Sequence, residues 1–507
     1  MNKLCAVVNP GLGGIKENIP TILLSDIYTP GDPTVNVVFE NGYLRKIKGR
    51  MSAFDTIPDN EYINMLSSFQ QTTGQRFFIA GTKSKIYYWN TDTWEDITGT
   101  ATFTGEDKDY WSFTQYGNYF IFTNGVDEIF YWDGTDAIQQ LGGSPPIAKF
   151  ITNFKNYLIA GRLEDNPHKI AWSSIGEINN WTTGDSGEAV VGDTEEIMGF
   201  GKTTDYLVIF KKSSIYILHY VGGNYVFNII KRVEGIGCYA PDSIMVSNNF
   251  VYFFGANKRI YAFDGIEAKD ISAGIQDTLS NIKDENFGLI YGLTLETLNK
   301  IVWLIPEGDV DVCNKMLILD VSTGVWFKFD IGGTVLAIGG YTLESAEKWD
   351  TYIAMPEVLW ETIDPDLQWR SINYAIGERI QVIGDNAGNT YKLFASLQDK
   401  GTDFEGVFIT RKIECKNANV MKRFLLLQHY FKNEGLEREV TISVRAGNEK
   451  NFVCEDTFTI GNDTDDEFII LNHYIDCTGK SLQIKITSND FFQYMGSLIY
   501  YNDVGLR

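Results

Sequence analysis

The sequence predicts an all-β protein built on a six- or seven-bladed β-propeller, and three stretches carry that prediction. KIYYWNTDTWEDITG from Lys85, EIFYWDGTDAIQQLGG from Glu128 and RIYAFDGIEAKDIS from Arg259 share one design. Each is an alternating aromatic and aliphatic strand, then an Asn or Asp beside Gly or Thr at a tight turn, then a second strand. An apolar strand closed by an Asx turn and recurring at a fixed period is the signature of propeller blades. The strand ends Trp89, Trp132, Trp172, Leu218, Phe263 and Leu319 are separated by 43, 40, 46, 45 and 56 residues. Four of these five intervals fit the period of about 40 to 50 residues usual for such repeats. A seventh stretch, NTYKLF ending at Phe394, comes 75 residues after Leu319, so that interval holds either a degenerate blade or an insertion.

The elements follow in order along the chain. Residues 1–30, including NPGLGGIKENIP, are rich in Gly, Pro and Asn and lack periodicity, which predicts an extended arm that becomes ordered against a partner. Residues 34–50 read as a hairpin: Val35, Val37 and Phe39 alternate, Asn41-Gly42 makes the turn, and Tyr43 to Ile47 return. A propeller closes its ring by letting an early strand complete the last blade, and this hairpin is the natural candidate. The propeller is therefore assigned to 31–405. Helical periodicity is nearly absent. GIQDTLSNIK from Gly274 places Ile275, Leu279 and Ile282 on one face of a short helix packed on a blade edge. Beyond about Phe408 the strands EVTISVRAG, FVCEDTFTIG and LQIKITS lack the aromatic-Asx ending, so 406–507 reads as a separate antiparallel β-sandwich.

Composition agrees with this reading and narrows the function. The 507 residues imply two or three domains, and an aromatic content of 14%, with 27 Tyr and 32 Phe, favours strands. No apolar run is long enough to span a bilayer, and MNKLCAVVNPGLGG lacks the apolar stretch of a signal peptide; no membrane insertion is expected, and synthesis in a cytosol is. Six scattered cysteines, Cys5, Cys238, Cys313, Cys415, Cys454 and Cys477, suggest neither a disulfide framework nor a zinc knuckle. A formal charge of −23 is the opposite of what grips phosphates, yet it suits a conduit past which DNA slides without sticking.

Motifs with catalytic overtones do not survive inspection. Gly184-Asp185-Ser186-Gly187 copies the surroundings of a protease serine, but only His168 precedes it, in a polar context unlike that of a triad base. Gly199-Phe200-Gly201-Lys202-Thr203 resembles the end of a phosphate-binding loop, but Glu196 stands where the first Gly belongs and a strand follows instead of a helix. His168, His219, His429 and His473 are too dispersed for a metal site. Asn462-Asp463-Thr464-Asp465-Asp466-Glu467 reads as a solvated turn, with a calcium loop or a ring of charge in an oligomer as alternatives. No catalytic, cofactor-binding or metal-binding residue is expected.

The run from Leu207 to Gln276, with GIGCYAPDSI at Gly235 to Ile244 and YAFDG trailed by Ile271-Ser272, resembles the tail nozzle (distal tail hub) proteins of short-tailed phages, including those called packaged-DNA stabilisation proteins. AWSSIGEINNW at Ala171 to Trp181, NVVFENGYLRKIKGR near the N-terminus and GKSLQIKITSNDFFQYMGSLIYYNDVGLR at the C-terminus are similar to further pieces of that family. The resemblance implies a structural homohexamer at the distal end of a virion tail, assembled in the host cytoplasm. It would be seated on a tail adaptor ring and contacted by tail fibres or tailspikes, with double-stranded DNA passing through without specific binding. The alternative is a propeller that binds or cleaves a glycan at a cell surface, with Asp309, Asp311, Asp364 and Asp366 as acids and Trp349, Trp360 and Trp369 as stacking platforms. A cytosolic scaffold propeller is a third reading.

Overall fold

A computed structural model describes residues 3–107, 109–192, 195–223, 225–342, 379–461 and 466–505. Five four-stranded antiparallel meanders follow one another, with innermost strands Met65–Gln70, Ser112–Tyr116, Ala148–Phe154, Ile197–Lys202 and Met245–Ser247. A seven-stranded sheet then supplies two more blades that share one long strand, Val325–Thr342. Its first half pairs with Cys313–Asp320 as the outer strand of blade 6, and its second half pairs with Arg379–Asp385 as the inner strand of blade 7. Between the halves the chain turns a corner at Gly332 and Gly333, whose φ of +65° and +72° suit residues without a Cβ. The propeller has seven blades, and the long interval before Phe394 is an insertion between the first two strands of blade 7.

All seven sequence anchors occupy the same place. Trp89, Trp132, Trp172, Leu218, Phe263, Leu319 and Phe394 each lie on the third strand of a blade. The turns beside them are held as expected: the Asn90 side-chain oxygen accepts the N–H groups of Asp92 and Thr93 at 3.0 and 2.8 Å, and the Asp264 carboxylate those of Ile266 and Glu267 at 2.8 and 2.9 Å. Because side chains alternate across a strand, every blade presents an apolar face to each neighbour. A separate buried cluster fills each of the seven inter-blade spaces, and an eighth fills the sandwich. The short helix Gln276–Ser280 joins the cluster between blades 5 and 6 through Leu279, with Ile275 and Ile282 flanking it, all buried.

Ring closure differs from expectation. The outermost strand of blade 7 is Gly49–Phe54, which pairs antiparallel with Thr390–Ser396; of the hairpin stretch 34–50 only Gly49 and Arg50 belong to it. That hairpin, Val37–Glu40 and Tyr43–Lys46, extends a sandwich sheet by pairing with Gln493–Gly505. Its alternation explains the placement: Val37 and Leu44 enter the sandwich core, while Val38 packs with blades 6 and 7. The hairpin is thus the joint between domains. The closing strand is pinned by Arg50, whose side chain is 2% exposed and whose guanidinium forks onto Asp399 and donates to the Ile331 carbonyl at 2.8 Å.

The 406–507 region forms a two-sheet sandwich, but not from its own strands alone. One sheet holds Gly406–Ile409, Leu482–Ser488, Arg438–Ala446 and Val453–Ile460. The other orders Phe468–Gly479, Met421–Lys432 and Gln493–Gly505, then the hairpin, with Lys3–Val8 also against Gln493–Gly505. The N-terminal arm is therefore ordered by its own chain, not awaiting a partner. Ile15 is buried between blades 5 and 6, and the Glu17 carboxylate accepts the Thr278 N–H at 2.8 Å and hydroxyl at 2.6 Å.

Replacing Arg50 by Ala strands the Asp399 carboxylate at the closing seam and is expected to cost about 3–5 kcal/mol of stability in urea unfolding. The Arg50→Ala, Asp399→Ala double variant should lose much less than the sum of the singles, because they share one interaction.

Candidate functional site

The innermost strand of each blade leaves one backbone edge unpaired, and seven such edges converge on the axis. They enclose a cavity of about 380 Å³ to which every blade contributes. Side chains of one inner strand satisfy the free edge of the next. The Ile151 N–H donates to Ser112 Oγ at 3.0 Å, Asn153 Nδ2 to the Gln115 carbonyl at 2.8 Å, and Thr294 Oγ1 to the Val246 carbonyl at 3.2 Å.

At the end where the inner strands begin, the cavity is closed. Tyr110, on the segment leading into blade 2, reaches across the axis to Tyr291, which starts blade 6; their ring centroids are 5.5 Å apart and both side chains are buried. Lys149 of blade 3 locks this plug by donating to the carbonyls of Tyr110 at 3.3 Å and Asn124 at 2.9 Å. Asp242, on the link between blades 4 and 5, faces the same space. Burial pushes its carboxyl up to about 6, against the opposing pull of Lys149. The Tyr110 hydroxyl is buried with no hydrogen-bond partner among the described residues. At the opposite mouth the rim is polar: Lys202 meets Asn153 Oδ1, and Arg379 meets Glu296. Among the described residues, Asp242 is the one carboxylate lining this cavity, and the axial space is far narrower than a DNA duplex.

The motifs examined in the sequence take structural places. Ser186 donates to the Thr183 carbonyl at 2.8 Å and His168 meets the Glu195 carbonyl, so neither serves the other. Asp185 is the structural residue of that turn: hydroxyl donors Ser174 at 2.6 Å and Tyr157 at 2.5 Å hold its carboxyl down at about 2. Gly199 to Lys202 lie on an inner strand, not a phosphate-binding loop. Asp309 pairs with Lys283, and Asp311 is exposed. Asp364, Asp366, Trp349, Trp360 and Trp369, with Asn462 to Asp465, lie outside the described residues; Asp466 and Glu467 offer their carbonyls to Asn433 at 3.0 Å each. The six cysteines are free. Among the described residues no group of three or more His, Cys, Asp or Glu could hold a metal ion, and no helix is long and apolar enough to cross a membrane.

Two histidines that the sequence leaves apart are brought together. His429 and His473 are both buried on adjacent strands of the six-stranded sheet, with ring centroids 5.8 Å apart. His429 Nδ1 lies 2.6 Å from Ser497 Oγ, which in turn meets the Tyr494 hydroxyl. Burial, and then the neighbouring His473, push the His429 imidazole down to about 3. Only the alternation of His429 with Leu427 and Phe431 hinted at its inward position.

The architecture defines the chain as a β-propeller protein with a fused β-sandwich. No family model matches it, and no curated protein does. Among solved structures it is similar to YCF48 bound to D1 peptide, at 9% identity and a TM-score of 0.38, covering 71% of this chain and 97% of that one. The WD40 domain of Toxoplasma gondii coronin aligns at 10% identity and 0.39, covering 71% and 87%. BamB from Moraxella catarrhalis aligns at 10% and 0.38, covering 71% and 94%.

Tyr110→Phe is expected to leave stability unchanged or raise it, since the hydroxyl has no partner among the described residues, whereas Tyr110→Ala should cost about 3–5 kcal/mol in urea unfolding. The histidine pair sets a pH dependence. His429 binds its proton more weakly folded than unfolded, so its contribution is full above pH 6.5 and falls as pH drops toward 3. The loss approaches about 1.4 kcal/mol per pH unit, and His429→Gln should remove that part of the acid slope.

Proposed function

We propose that this chain is a structural subunit of the nozzle, or distal hub, of a short-tailed phage tail, assembled as a homohexameric ring on a tail adaptor. The observation that carries the reading is the Leu207 to Gln276 block, which resembles that family and here builds most of blades 4 and 5 with the link that brings Asp242 to the axis. The role is one of shape and charge, with no reaction catalysed. Packaged DNA would be retained, and released at ejection, through a lumen between copies whose wall repels phosphate; the net charge of −23 per chain supports this.

A surface suited to a neighbouring subunit supports the reading further. On the outer face of the six-stranded sheet, register places Leu4, Tyr500, Leu426 and Tyr474 in one cross-strand row. Val8 and Ile470 lie along the next such row but one, and Tyr474 is 74% exposed. Charges at its edge are already paired, Lys3 with Asp503 and Arg423 with Asp476. In a strongly acidic chain, an apolar face with neutralised borders is where a like-charged copy can approach.

Negative-stain electron microscopy of the purified chain, alone and with the tail adaptor from neighbouring genes, tests the proposal. Six-fold rings are expected, and Val8→Glu with Tyr474→Glu should dissolve them. Particles that stay single even with adaptor would overturn the reading and turn attention to glycan binding at a cell surface.

A further inference from the structure

The spacing of the six cysteines suggests no bond between any of them, yet the fold brings two from distant parts of the chain into one place. In Lys3–Val8 the side chains of Cys5 and Val7 turn toward the sandwich core, while Leu4, Ala6 and Val8 are exposed. Cys415 belongs to the same core cluster and is 3% exposed. Register fixes their approach. Lys3 and Cys5 pair with Tyr501 and Ile499 of Gln493–Gly505, and the Tyr501 hydroxyl donates to the Cys415 carbonyl at 2.9 Å, which holds the Cys415 turn against the arm strand. Cys415 and Lys416 both take left-handed backbone, with φ of +44° and +73°, which residues bearing a Cβ adopt only at a cost.

The surroundings make the two thiols unequal. Cys5 is half-buried and Cys415 buried. A hydrogen bond with Cys415 outweighs burial and holds the Cys5 thiol down at about 7, with Asp26 opposing and Arg411 and Lys416 assisting. The same bond, together with burial, pushes Cys415 up. Buried Lys422, which donates to the carbonyls of Val420 at 3.1 Å and Lys480 at 3.0 Å, adds positive charge near Cys415. Cys238 and Cys477, by contrast, are pushed up to about 12, chiefly by burial. A partly exposed thiol that ionises readily, beside a buried one that keeps its proton, is an attacking cysteine with a resolving partner.

We propose that Cys5 and Cys415 form a redox-active pair that a peroxide converts into a disulfide, tying the N-terminal strand to the sandwich core. The Cys5 thiolate would attack one peroxide oxygen: an S–O bond forms, the O–O bond breaks, and the departing hydroxide takes up a proton as water. The Cys415 sulfur then attacks the Cys5 sulfenic acid, so that the S–S bond forms, the S–O bond breaks, and the hydroxide leaves with the Cys415 proton as a second water. Two thiols are oxidised and one peroxide is reduced. The inference stands whether or not copies assemble into a ring.

Non-reducing peptide mapping of the whole folded chain by mass spectrometry, before and after equimolar hydrogen peroxide, tests it. Peroxide is expected to yield one linked peptide pair joining Cys5 to Cys415, two hydrogens lighter than the separate peptides, and to slow amide exchange across Lys3–Val8 about tenfold or more. Dithiothreitol should reverse both. Iodoacetamide at neutral pH should label Cys5 about tenfold or more faster than Cys477, which is likewise half-buried. Cys415→Ser should leave Cys5 to accumulate as a sulfenic acid that dimedone traps, and Lys416→Glu, at an exposed position, should slow labelling of Cys5 with the thermal midpoint kept. Linkage to another cysteine or between chains, labelling of Cys5 no faster than of Cys477, or unchanged exchange in the linked chain would each sink the proposal.

Discussion

Everything in this molecule depends on the seam at which Gly49–Phe54 completes blade 7. A propeller is a ring of sheets with no covalent closure, so its first and last blades must be joined by backbone pairing and side-chain contacts alone. Here the seam unites residues more than 330 positions apart, and the Arg50 fork onto Asp399 makes that pairing specific. A buried, geometrically demanding ion pair contributes less to net stability than to uniqueness, because a slipped register would leave both charges unpaired in a dry site.

Closure through an internal strand also fixes what surrounds the ring. The residues before Gly49 cannot follow the propeller around, so they cross to the sandwich: the hairpin fills the joint, and Lys3–Val8 adds an edge strand. Both ends of the chain are thereby tied into one sheet. The domains share a core boundary along the hairpin, whose two faces are buried in different clusters. A cavity of about 300 Å³ forms at this joint, lined by Arg45 and Lys48 from the hairpin side and by Lys300, Arg379 and Lys392 from blades 6 and 7.

The axial cavity carries the opposite lesson. Its walls are backbone edges sewn together by Ser, Thr, Asn and Gln side chains, and one end is blocked by an aromatic contact between blades 2 and 6. Among the described residues it is a small space held by side-chain hydrogen bonds between neighbouring blades.

The sequence by itself determined the blades. Period-two alternation, the aromatic strand ends, the Asx turns and Asn41-Gly42 are encoded in contiguous residues, and local sterics and hydrogen bonding decide them without reference to the rest of the chain. That is why seven anchors fell on seven third strands, and why the buried face of Ile275, Leu279 and Ile282 could be read. Tertiary structure alone decided which early strand closes the ring, since hairpin and closing strand are equally good strands and only register against Thr390–Ser396 separates them. It alone joined Tyr110 to Tyr291, His429 to His473, and Arg45 and Lys48 to Lys300, Arg379 and Lys392 around one cavity. Such proximities arise from how the sheets stack and where the chain crosses between domains, and electrostatics at a few ångströms leaves no periodic trace along the sequence.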